Sequence, residues 1–553
     1  VETDLGERMV QLTGSHPSHL IAPAIHLTKE DAARVFGVEP EVAAIQAEAR
    51  RSLREKFIGA SVGITGANAA IAETGTLMLV TNEGNADLTT TLPPVHVAVF
   101  GTDKLVATLD DAVSMLRMLG RSGTGQRMTS YVNWITGPSR SADIEQSLEI
   151  GVHGPREVHC VVIDNGRSAM AADPVFKEAL DCIRCGACSN VCPPFMAVGG
   201  HQFGHVYTGP IGLVLTPFHH GPEAVELPQS LCVQCNACQE VCPVGIPLPR
   251  QILEHRRRSR RPLIKEAALE LWGHRGVAGP ALRAAAPLTA LAPGAPARLA
   301  RWPFRSRVRR GGSGDPVTIF ASCLVDRVSP GTGQALETII RAAGFSVEFP
   351  KRQWCCGLIA ANAGRFEEGA SMAGQLAEAL AGSPGPIVTP SASCFGAMAE
   401  EATEWGAAGD ALWNVRSRMR DSTRFLLQLL EANPDLVRAP SGERIAYHDS
   451  CQTLRRLGLQ AEPRRVLELA GFEVVPIPDL AACCGFGGTF SAEWPQVAAR
   501  IAGWKLEAIA RTGCAVVASD NPGCLMHIAG AARRRGADLR VAHVLELVAE
   551  RLA

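Results

Sequence analysis

RQWCCGL at residues 352–358 and DLAACCGFGG at residues 479–488 each place two adjacent cysteines before a glycine. Neighbouring Cα atoms lie about 3.8 Å apart across a trans peptide, whereas a disulfide usually joins Cα atoms about 4.4–6.8 Å apart. A disulfide between adjacent cysteines is therefore strained, and we do not expect two of them in one chain. Two thiolates directed at one metal centre need no such ring, and the following glycine allows the backbone to approach that centre closely.

The adjacent cysteines belong to an internal repeat. Cys323 precedes Cys355 by 32 positions, and Cys451 precedes Cys483 by the same 32. Between the paired positions a helix-like stretch leads into a strand-like one, as in ALETIIRAAGFSVEFP and RVLELAGFEVVPIP. The spacing therefore predicts two related α/β domains.

Cysteines also end four strand-like runs, which are VTIFASC, IVTPSASC, RIAYHDSC and AVVASDNPGC. Parallel α/β sheets present their ligand sites at the carboxyl ends of strands. We therefore predict a first repeat (residues 316–440) and a second repeat (residues 441–553), each with its cysteines at one sheet edge. The candidate metal ligands are Cys323, Cys355, Cys356 and Cys394 in the first repeat, and Cys451, Cys483, Cys484 and Cys524 in the second.

Two further groups, DCIRCGACSNVCP (181–193) and LCVQCNACQEVCP (231–243), share the spacing Cys-x2-Cys-x2-Cys-x3-Cys-Pro. This is the spacing of bacterial two-cluster ferredoxins, in which the fourth cysteine of each run ligates the other cluster. A pair of structural zinc sites is the alternative, but zinc sites separate their ligand pairs more widely. We predict one [4Fe-4S] cluster on Cys182, Cys185, Cys188 and Cys242, and a second on Cys192, Cys232, Cys235 and Cys238.

The composition limits the class of protein. The chain has 553 residues, 18 cysteines and a net charge of −1, which predicts three or four domains and no global field that would recruit nucleic acid. It shows no secretory signal and no apolar run long enough to cross a bilayer. Clustered cysteines in such a chain indicate metal ligands in a cytoplasmic protein, with peripheral contact at the inner face of the membrane left open.

Three regions precede the repeats. Residues 1–172 alternate short strands with helices and open on Val1 without a methionine, so we expect part of this domain to lie upstream. Residues 173–255 carry the eight clustered cysteines. Residues 256–315 are rich in Ala, Pro and Arg and are predicted to form a linker or a loosely packed arm, whose arginines would contact an acidic partner or anionic lipid.

Two cysteines lie outside the ligand groups. Cys160 falls within the apolar run VHCVVID (158–164), which we predict to be a buried strand, and Cys514 falls just before another run. Both are predicted to be small core residues.

His448 and Asp449 directly precede the first candidate ligand of the second repeat. We predict that they tune the neighbouring centre through hydrogen bonds. A catalytic His–Asp pair is the alternative interpretation.

Two turns in the first 100 residues are rich in glycine and asparagine. Turns of this kind can hold a carboxylate or phosphate through backbone N–H groups, although plain turn chemistry needs the same residues. Glu73 and Glu83 are candidate bases, and the chain has no Gly-x-Gly-x-x-Gly after a strand that would indicate a nicotinamide site. The candidate substrate-binding residues are Gly66, Asn68, Glu73, Thr74, Gly75 and Thr76 in the first turn, and Asn82, Glu83, Gly84 and Asn85 in the second.

The two repeats resemble the cysteine-rich CCG domain of heterodisulfide reductase, glycolate oxidase and anaerobic glycerol-3-phosphate dehydrogenase subunits. That family typically ends in Cys-x-x-Cys, whereas this chain has Ser391 in SASC and Asn521 in NPGC. The departure removes one thiolate from each repeat and favours four-ligand sites. The resemblance implies one or two further iron–sulfur clusters, with zinc as the alternative metal in one of them and reduced structural thiols as the alternative without metal.

Residues 1–255, with GITGANAAIAETGTL, TNEGNADLTTTLPP and GPSRSADIE, resemble bacterial lactate-utilisation iron–sulfur proteins that join a LUD domain to a ferredoxin module. Residues 316–553, with HDSC, CCGFGG and GCLMHI, resemble the partner subunit built from two CCG domains. The chain is thus similar to a fusion of those two subunits. The resemblance implies a multidomain α/β protein whose LUD domain is similar to sugar isomerases and CoA transferases.

The same resemblance implies a function. It predicts an oxidoreductase component that passes electrons from L-lactate, oxidised to pyruvate without NAD, through iron–sulfur centres to an unidentified acceptor, together with a further LUD-family subunit. The alternatives are a subunit that serves glycolate or another 2-hydroxy acid, and a thiol–disulfide enzyme similar to heterodisulfide reductase. A third alternative is a LUD protein that senses a ligand or redox state and is not an enzyme.

Overall fold

The computed structural model describes residues 1–204, 206–259, 263–291, 298–438, 440–478 and 483–553. They form two compact units, the first made of residues 1–229 with 238–252 and the second of residues 230–237 with 253–553. Across these described ranges, no helix combines the length and the apolar character that crossing a bilayer requires.

The first unit begins with an α/β region that holds two larger sheets and a two-stranded antiparallel sheet, β7-β8. Strands β1, β4 and β9 are parallel, in the order β1-β4-β9, and the second sheet has the order β5-β2-β3-β6. The strands are β1 (Val62–Thr65), β2 (Ala69–Ile71), β3 (Thr76–Thr81), β4 (Val95–Gly101), β5 (Leu105–Val106), β6 (Tyr131–Ile135), β7 (Arg140–Ser141), β8 (Glu149–Ile150) and β9 (Glu157–Ile163). The helices are α1 (Leu5–Thr13), α2 (Lys29–Phe36), α3 (Val42–Ile58), α4 (Asn85–Thr91), α5 (Leu109–Thr124) and α6 (Arg167–Ala172).

Strand β9 corrects one expectation. VHCVVID forms a strand as predicted, but the strand lies at the edge of its sheet and its side chains are largely exposed, with Val161 at 46% and Val162 at 47%. Cys160 is therefore exposed rather than a core residue, whereas Cys514 is buried as predicted. An apolar run alone does not distinguish an edge strand from a central one.

Short helices carry the first two cysteine groups. Glycines and prolines punctuate this region, so its helices are brief except where apolar residues recur at helical spacing. They are α7 (Ala187–Asn190), α8 (Pro193–Val198), α9 (Gly209–His220), α10 (Ala237–Glu240) and α11 (Leu248–Arg258).

The two repeats form two parallel sheets with the same topology. Their strand orders are β11-β10-β12-β13 and β15-β14-β16-β17, so the strand that leads to the first ligand is central in both. The strands are β10 (Pro316–Ile319), β11 (Ser346–Glu348), β12 (Ile387–Thr389), β13 (Met419–Asp421), β14 (Glu443–Tyr447), β15 (Phe472–Pro476), β16 (Val516–Ser519) and β17 (Arg540–His543). The α/β class and the internal repeat predicted from the spacing are confirmed.

The helices of the repeats follow the strands. Cysteines stand at or near the helix starts, since α14 begins at Cys323 and Cys524 lies in the first turn of α24. The linker and first repeat contain α12 (Leu263–Gly273), α13 (Arg275–Leu291), α14 (Cys323–Arg327), α15 (Pro330–Ala342), α16 (Leu358–Asn362), α17 (Phe366–Ala381), α18 (Ala392–Ala399), α19 (Asp410–Arg418) and α20 (Ser422–Ala432). The second repeat contains a π-helical turn at Gln452–Arg456 and α21 (Ala461–Leu469), α22 (Phe490–Glu493), α23 (Pro495–Ala510), α24 (Pro522–Arg535) and α25 (Val544–Glu550).

The two repeats share one hydrophobic core. Helix α15 of the first repeat packs against α25 of the second, and α20 packs against α21. Leu336 and Ile340 from α15 and Leu545 and Val548 from α25 belong to this core, and none of the four is exposed. The repeats therefore fold as one body rather than as two independent domains.

The arm between the cysteine groups and the repeats is more ordered than the composition predicts. Most of its described residues lie in α12 and α13, and Phe304 is fully buried in the core of the repeats. Arg305 bonds the buried carboxylate of Asp326, with Nε and Oδ2 2.7 Å apart. The described part of the arm is therefore more ordered than a loosely packed arm, and its residues Phe304 and Arg305 have partners within the first repeat.

Replacing Leu336 with alanine should test the shared core. The side chain is fully buried between the repeats, so the variant should lose about 2–5 kcal/mol of unfolding free energy. Chemical denaturation followed by circular dichroism measures the change. The matched control is Leu288→Ala, which truncates a leucine in α13 that is 70% exposed and should change stability little. Equal effects of the two substitutions would contradict the shared core.

Candidate metal centres and substrate cavity

The first predicted cluster site is assembled within the first unit. Cys182, Cys185, Cys188 and Cys242 line one small cavity, together with apolar residues such as Ile211. The Arg184 N–H donates to Cys182 Sγ and the Ile246 N–H donates to Cys242 Sγ, both at 3.4 Å. Four thiols around one cavity, with backbone donors directed at the sulfurs, fit the ligand chemistry of a [4Fe-4S] cluster.

The backbone of both cysteine loops supports this reading. Arg184 and Gly186 have φ angles of 62° and 72°, and the equivalent residues of the second loop, Gln234 and Asn236, have φ angles of 55° and 61°. A positive φ costs energy for a residue with a side chain, so it persists where the surrounding structure requires it. Two copies of the same conformation indicate loops shaped to wrap a common group.

Ligands of the second predicted cluster are divided between the units. Cys192 and Cys238 belong to the first unit, and Cys232 and Cys235 belong to the second. Burial raises the pKa of the Cys235 thiol to about 12, and the nearby thiol of Cys483 adds to this rise. The assembly of these four cysteines around one cluster remains a prediction.

A buried group of charges lies beside the first cluster site. The Asp103 carboxylate is almost fully buried and bonds Arg167, Arg184 and Lys104. Lys104 Nζ also donates to the carbonyl oxygen of Cys182 at 3.3 Å. Three cations with one carboxylate leave an excess of positive charge next to this loop, which would favour an anionic cluster there.

The four cysteines of the first repeat form a chain of contacting thiols. Cys355 contacts both Cys323 and Cys356, and Cys356 also contacts Cys394. Hydrogen bonds from Cys323 and Cys356 hold the pKa of the Cys355 thiol well below its usual range. The site is therefore already disposed to hold a thiolate, which is the form that binds a metal.

Tryptophans cover the first repeat's site. Trp354 Nε1 donates to the carbonyl oxygen of Trp272 at 3.0 Å, and the two rings lie 5.9 Å apart. Both pack in the same apolar cluster as Cys355, so α12 supplies part of the wall of this site. No pattern in the sequence of the arm predicts this role.

The second repeat's site adds a histidine to its thiols. Cys484 Sγ and Cys524 Sγ lie 3.1 Å apart, and a ring nitrogen of His448 lies within 4.8 Å of both sulfurs. Neither ring nitrogen of His448 has a hydrogen-bond partner among the described residues. Burial, and then the charge of Lys505, hold the pKa of His448 well below its usual range, so the imidazole is neutral and can act as a ligand or a hydrogen-bond donor.

Lys505 is the cation of the second site. It lies on α23, only 1% exposed, and its Nζ has no hydrogen-bond partner among the described residues. Burial lowers its pKa, while the thiols of Cys483 and Cys484 act in the opposite direction. Asp449 is not its partner, because the Arg464 guanidinium holds both oxygens of that carboxylate at 2.8 and 2.6 Å.

The glycines after the paired cysteines are required by conformation. Gly357 and Gly485 have φ angles of 86° and 87°. An added Cβ at Gly357 would lie 2.2 Å from the carbonyl oxygen of Gly369, and one at Gly485 would lie 2.7 Å from that of Ala498. The close approach is thus to α17 and α23, and not only to a metal centre as the sequence suggested.

Ser391 and Asn521, which replace the expected cysteines, both precede a helix. The Asn521 side chain accepts the Gly523 N–H at 3.1 Å, and its amide donates to Ser393 Oγ at 2.7 Å. This second bond joins the ligand-bearing edges of the two repeats. The departure from Cys-x-x-Cys therefore has a structural role as well as removing a ligand.

A cavity of about 850 Å³ lies in the α/β region of the first unit. It is lined by the whole of β1 and by residues of α1, α3 and α4, and it includes the predicted residues Gly66, Asn68 and Asn85. Asn68 Oδ1 accepts the Val80 N–H at 2.9 Å, and Asn85 Oδ1 accepts the Thr81 hydroxyl at 2.8 Å. Both asparagines therefore shape the cavity wall.

The other predicted substrate residues do not line this cavity. Glu73 accepts the backbone N–H of Leu109 at the start of α5, at 2.8 Å, and Glu83 accepts that of Leu5 at 3.2 Å. The other predicted substrate residues that do not line the cavity are Thr74, Gly75, Thr76, Asn82 and Gly84.

Sequence reasoning missed three residues at the cavity. Glu7 lines it, and desolvation, then the charges of Asp4 and Glu2, raise the pKa of Glu7 to about 7. Lys56 supplies a cation in the wall, and Thr65 bonds the buried ring of His96, with Oγ1 and Nε2 2.9 Å apart. The sequence offered a signal for two of them as cavity residues. Thr65 ends a strand and Lys56 lies on a helix.

Comparison with protein families accounts for each region. The LUD domain family matches residues 1–163, the 4Fe-4S dicluster domain family matches residues 178–246, and the cysteine-rich domain family matches residues 317–399 and again 445–529. The chain carries a LUD domain, a 4Fe-4S dicluster domain and two cysteine-rich domains. The predicted multidomain organisation is confirmed, and the exact domain boundaries remain predictions.

Relatives of the chain carry names of two kinds. "Uncharacterized electron transport protein YkgF" of Escherichia coli is 45% identical over 264 residues, which cover 46% of this chain and 54% of the relative. "Lactate utilization protein B" is 45% identical over 265 residues in Shouchella clausii (46% and 54%) and 42% identical over 288 residues in Geobacillus (49% and 58%). The chain thus spans little more than half the length of these relatives.

One solved structure is also similar. A crystal structure of a DUF162 family protein from Deinococcus radiodurans covers 29% of this chain and 93% of its own, with 19% identity and a TM-score of 0.14. These values are too low to establish a shared fold.

Replacing Lys505 with methionine should lower the reduction potential of the centre in the second cysteine-rich domain. The substitution removes the buried positive charge nearest its thiolates, which makes adding an electron less favourable. A redox titration followed by EPR, at matched iron content, measures the shift. Lys505→Arg keeps the charge and is the control. An unchanged potential in Lys505→Met would contradict this role.

Stability should depend on the ionisation of Asp520. Burial raises the pKa of this carboxyl from 3.8 to about 7, and Thr453 and Thr423 bond its two oxygens. Because the folded pKa is the higher one, the stabilising contribution is complete below pH about 4, falls by about 1.4 kcal/mol per pH unit as the pH rises, and is lost once the pH has passed through about 7.

Asp520→Asn removes the ionisable group and should flatten this pH dependence. Thermal melting at pH 6 and pH 8 measures it, and the wild-type protein should lose more stability than the variant between the two. Parallel pH profiles for both proteins would show that Asp520 does not titrate in this range.

Proposed function

We propose that this chain is the iron–sulfur electron-transfer component of an NAD-independent complex that oxidises L-lactate to pyruvate. Each lactate releases two electrons and two protons. The electrons pass singly through the dicluster domain and the cysteine-rich domains to an acceptor, while the protons leave to a base at the substrate site and to water.

The observation that carries the proposal is the closure of Cys182, Cys185, Cys188 and Cys242 around one cavity. These residues would hold a [4Fe-4S] cluster, which supplies one-electron transfer. Two copies of the same loop conformation support a second cluster of this kind. Together they favour a redox role over a ligand sensor without electron transfer.

The cysteine-rich domains would hold one or two further centres. The first offers four thiols in mutual contact, which suits an iron–sulfur cluster. The second offers thiols with His448, a donor set that suits iron–sulfur or zinc. A thiol–disulfide enzyme is the weaker alternative. Ser391 and Asn521 stand where the family has cysteine, so each site has one thiol fewer for such chemistry.

The choice of lactate rests on the relatives named lactate utilization protein B. The cavity of the LUD domain is the proposed substrate site. Lys56 would pair with the substrate carboxylate, and Glu7, with its raised pKa, would accept the hydroxyl proton. Glu7 lines the cavity and carries a negative charge above pH about 7, which disfavours an anion there, so we expect the substrate carboxylate to bind more tightly as the pH falls below 7.

Partners complete the proposed system. The resemblance predicts a further LUD-family subunit, and the electron acceptor is a separate partner. We place the protein in the cytoplasm, with peripheral contact at the inner face of the membrane as an option for delivering electrons to a membrane acceptor. Arg256, Arg257 and Arg258 contribute little to such a contact, since all three bond groups of the chain itself.

L-lactate should bleach the visible iron–sulfur absorption of the anaerobic, assembled complex. We expect slower or no bleaching with D-lactate, and bleaching by glycolate in preference to L-lactate would reassign the substrate. Failure of every 2-hydroxy acid to reduce a protein that dithionite does reduce would contradict the proposed reaction.

Cluster content tests the same proposal without substrate. Cys185→Ser should lose about four iron atoms per chain, because it removes one corner of a cluster. Cys160→Ser replaces an exposed cysteine outside the ligand groups and is the control, with iron content unchanged. Iron and acid-labile sulfide are quantified by colorimetry, and zinc by mass spectrometry.

A further inference from the structure

The second cysteine loop of the dicluster domain packs on the second cysteine-rich domain. Residues 230–237, which include Cys232 and Cys235, belong to the same compact unit as the repeats. They meet the loop that follows the paired cysteines of the second repeat, Cys483 and Cys484. Two segments that both present metal ligands are thus brought together.

Gly487 is the closest point of this contact. Its φ angle is 53°, and an added Cβ would lie 2.8 Å from Val233 Cγ1 and 2.9 Å from Phe490 Cβ. Val233 lies between Cys232 and Cys235 in the loop. The absence of a side chain at Gly487 therefore allows the two ligand-bearing loops to touch.

Polar bonds hold the same contact on either side. Trp494 Nε1 donates to Ser230 Oγ at 3.0 Å. The Arg256 guanidinium donates to the carbonyl oxygens of Cys232 and Asn362, the latter at 2.9 Å. Cys232, Val233, Arg256 and Gly487 line one narrow cleft, which fixes the orientation of the loop.

The first repeat has a different environment. Trp272 and Trp354 pack beside Cys355, and they come from α12 and from the repeat itself rather than from a cysteine loop. The two cysteine-rich domains share a fold but differ in what lies next to their thiols.

We propose that electrons leave the dicluster domain through the centre ligated by Cys232 and Cys235 directly to the centre of the second cysteine-rich domain, and that the Val233–Gly487 contact sets the distance between them. The inference rests on the proposed function, because it assigns the order of its centres. In each transfer the first centre is oxidised by one electron and the second is reduced by one, and no atom or proton changes place. The 2-hydroxy acid supplies the electrons, and the external acceptor removes them.

EPR of the dithionite-reduced full chain tests the contact. Two reduced paramagnetic centres that lie close together broaden or split each other's signals, and we expect this interaction in the wild-type protein. Gly487→Ala should weaken or abolish it, because the new methyl group meets Val233. Gly488→Ala is the matched control, since Gly488 also has a positive φ of 64° but no atom within 4 Å of an added Cβ.

A second substitution separates the contact from local strain. Val233→Ala combined with Gly487→Ala removes the Cγ1 atom that the new methyl group meets, and it should restore part of the interaction. Equal spectra for Gly487→Ala and Gly488→Ala, at equal iron content, would overturn the role of the contact.

Replacing the corresponding cysteine in each cysteine-rich domain tests which of the two domains receives the electron. The two clusters of the dicluster domain also interact with each other, so the test is the change in the spectrum. Cys524→Ser should remove the part of the magnetic interaction that comes from the second cysteine-rich domain, whereas Cys394→Ser, at the corresponding position of the first repeat, should leave the spectrum of this interaction unchanged. The opposite result, or equal spectra for both substitutions, would overturn the proposed order, and this pair remains decisive if Gly487→Ala does not take up iron. Dithionite bypasses the substrate, so a failure here is distinct from a failure of lactate to reduce the protein.

Discussion

The structure depends on keeping thiols close together in buried surroundings, most of which oppose their ionisation, with Cys355 as an exception. Burial raises the pKa of Cys188 and Cys235 to about 12, so at neutral pH these groups carry protons unless a soft cation replaces them. Once a metal is bound, the same apolar walls strengthen its attraction to the thiolates and exclude water. Burying these thiols without a metal lowers the free energy of unfolding, and binding a metal raises it. Metal uptake is therefore coupled to folding.

Parallel sheets explain why these thiols can be gathered at all. The first ligand of each repeat follows the central strand, and the last follows the neighbouring strand, so both reach the same edge. The paired cysteines then come from the loop after the outer strand. This arrangement could be predicted from the sequence, because the spacing of 32 residues and the strand-like runs before the cysteines are local signals. The same is true of the two cysteine loops, whose spacing is specific to one kind of cluster.

The parts that could not be predicted depend on contacts between distant segments. The composition of helix α12 predicts a linker. Its place beside the candidate metal site is shown only by the packing of Trp272 against Trp354. Strand β9 reads as buried because its residues are apolar, but its place at the sheet edge leaves it exposed. Lys505 is an intermediate case. Its neighbours at helical spacing, Ile501 and Ile509, are buried, so a lone charge on that apolar face was a signal that sequence reasoning could have used.

The two cysteine-rich domains share a fold but place different residues around their thiols. In the second domain the buried amine of Lys505 lies near the thiols, and neutral His448 adds no charge of its own. The first domain places two indole rings beside its thiols, and the guanidinium groups of Arg305 and Arg327, which pair with buried Asp326, lie over the Trp354 ring. Duplication alone would produce two equivalent sites. Divergence at a few buried positions, while the sheets and ligand spacing stayed the same, has given the two sites different charged and aromatic neighbours.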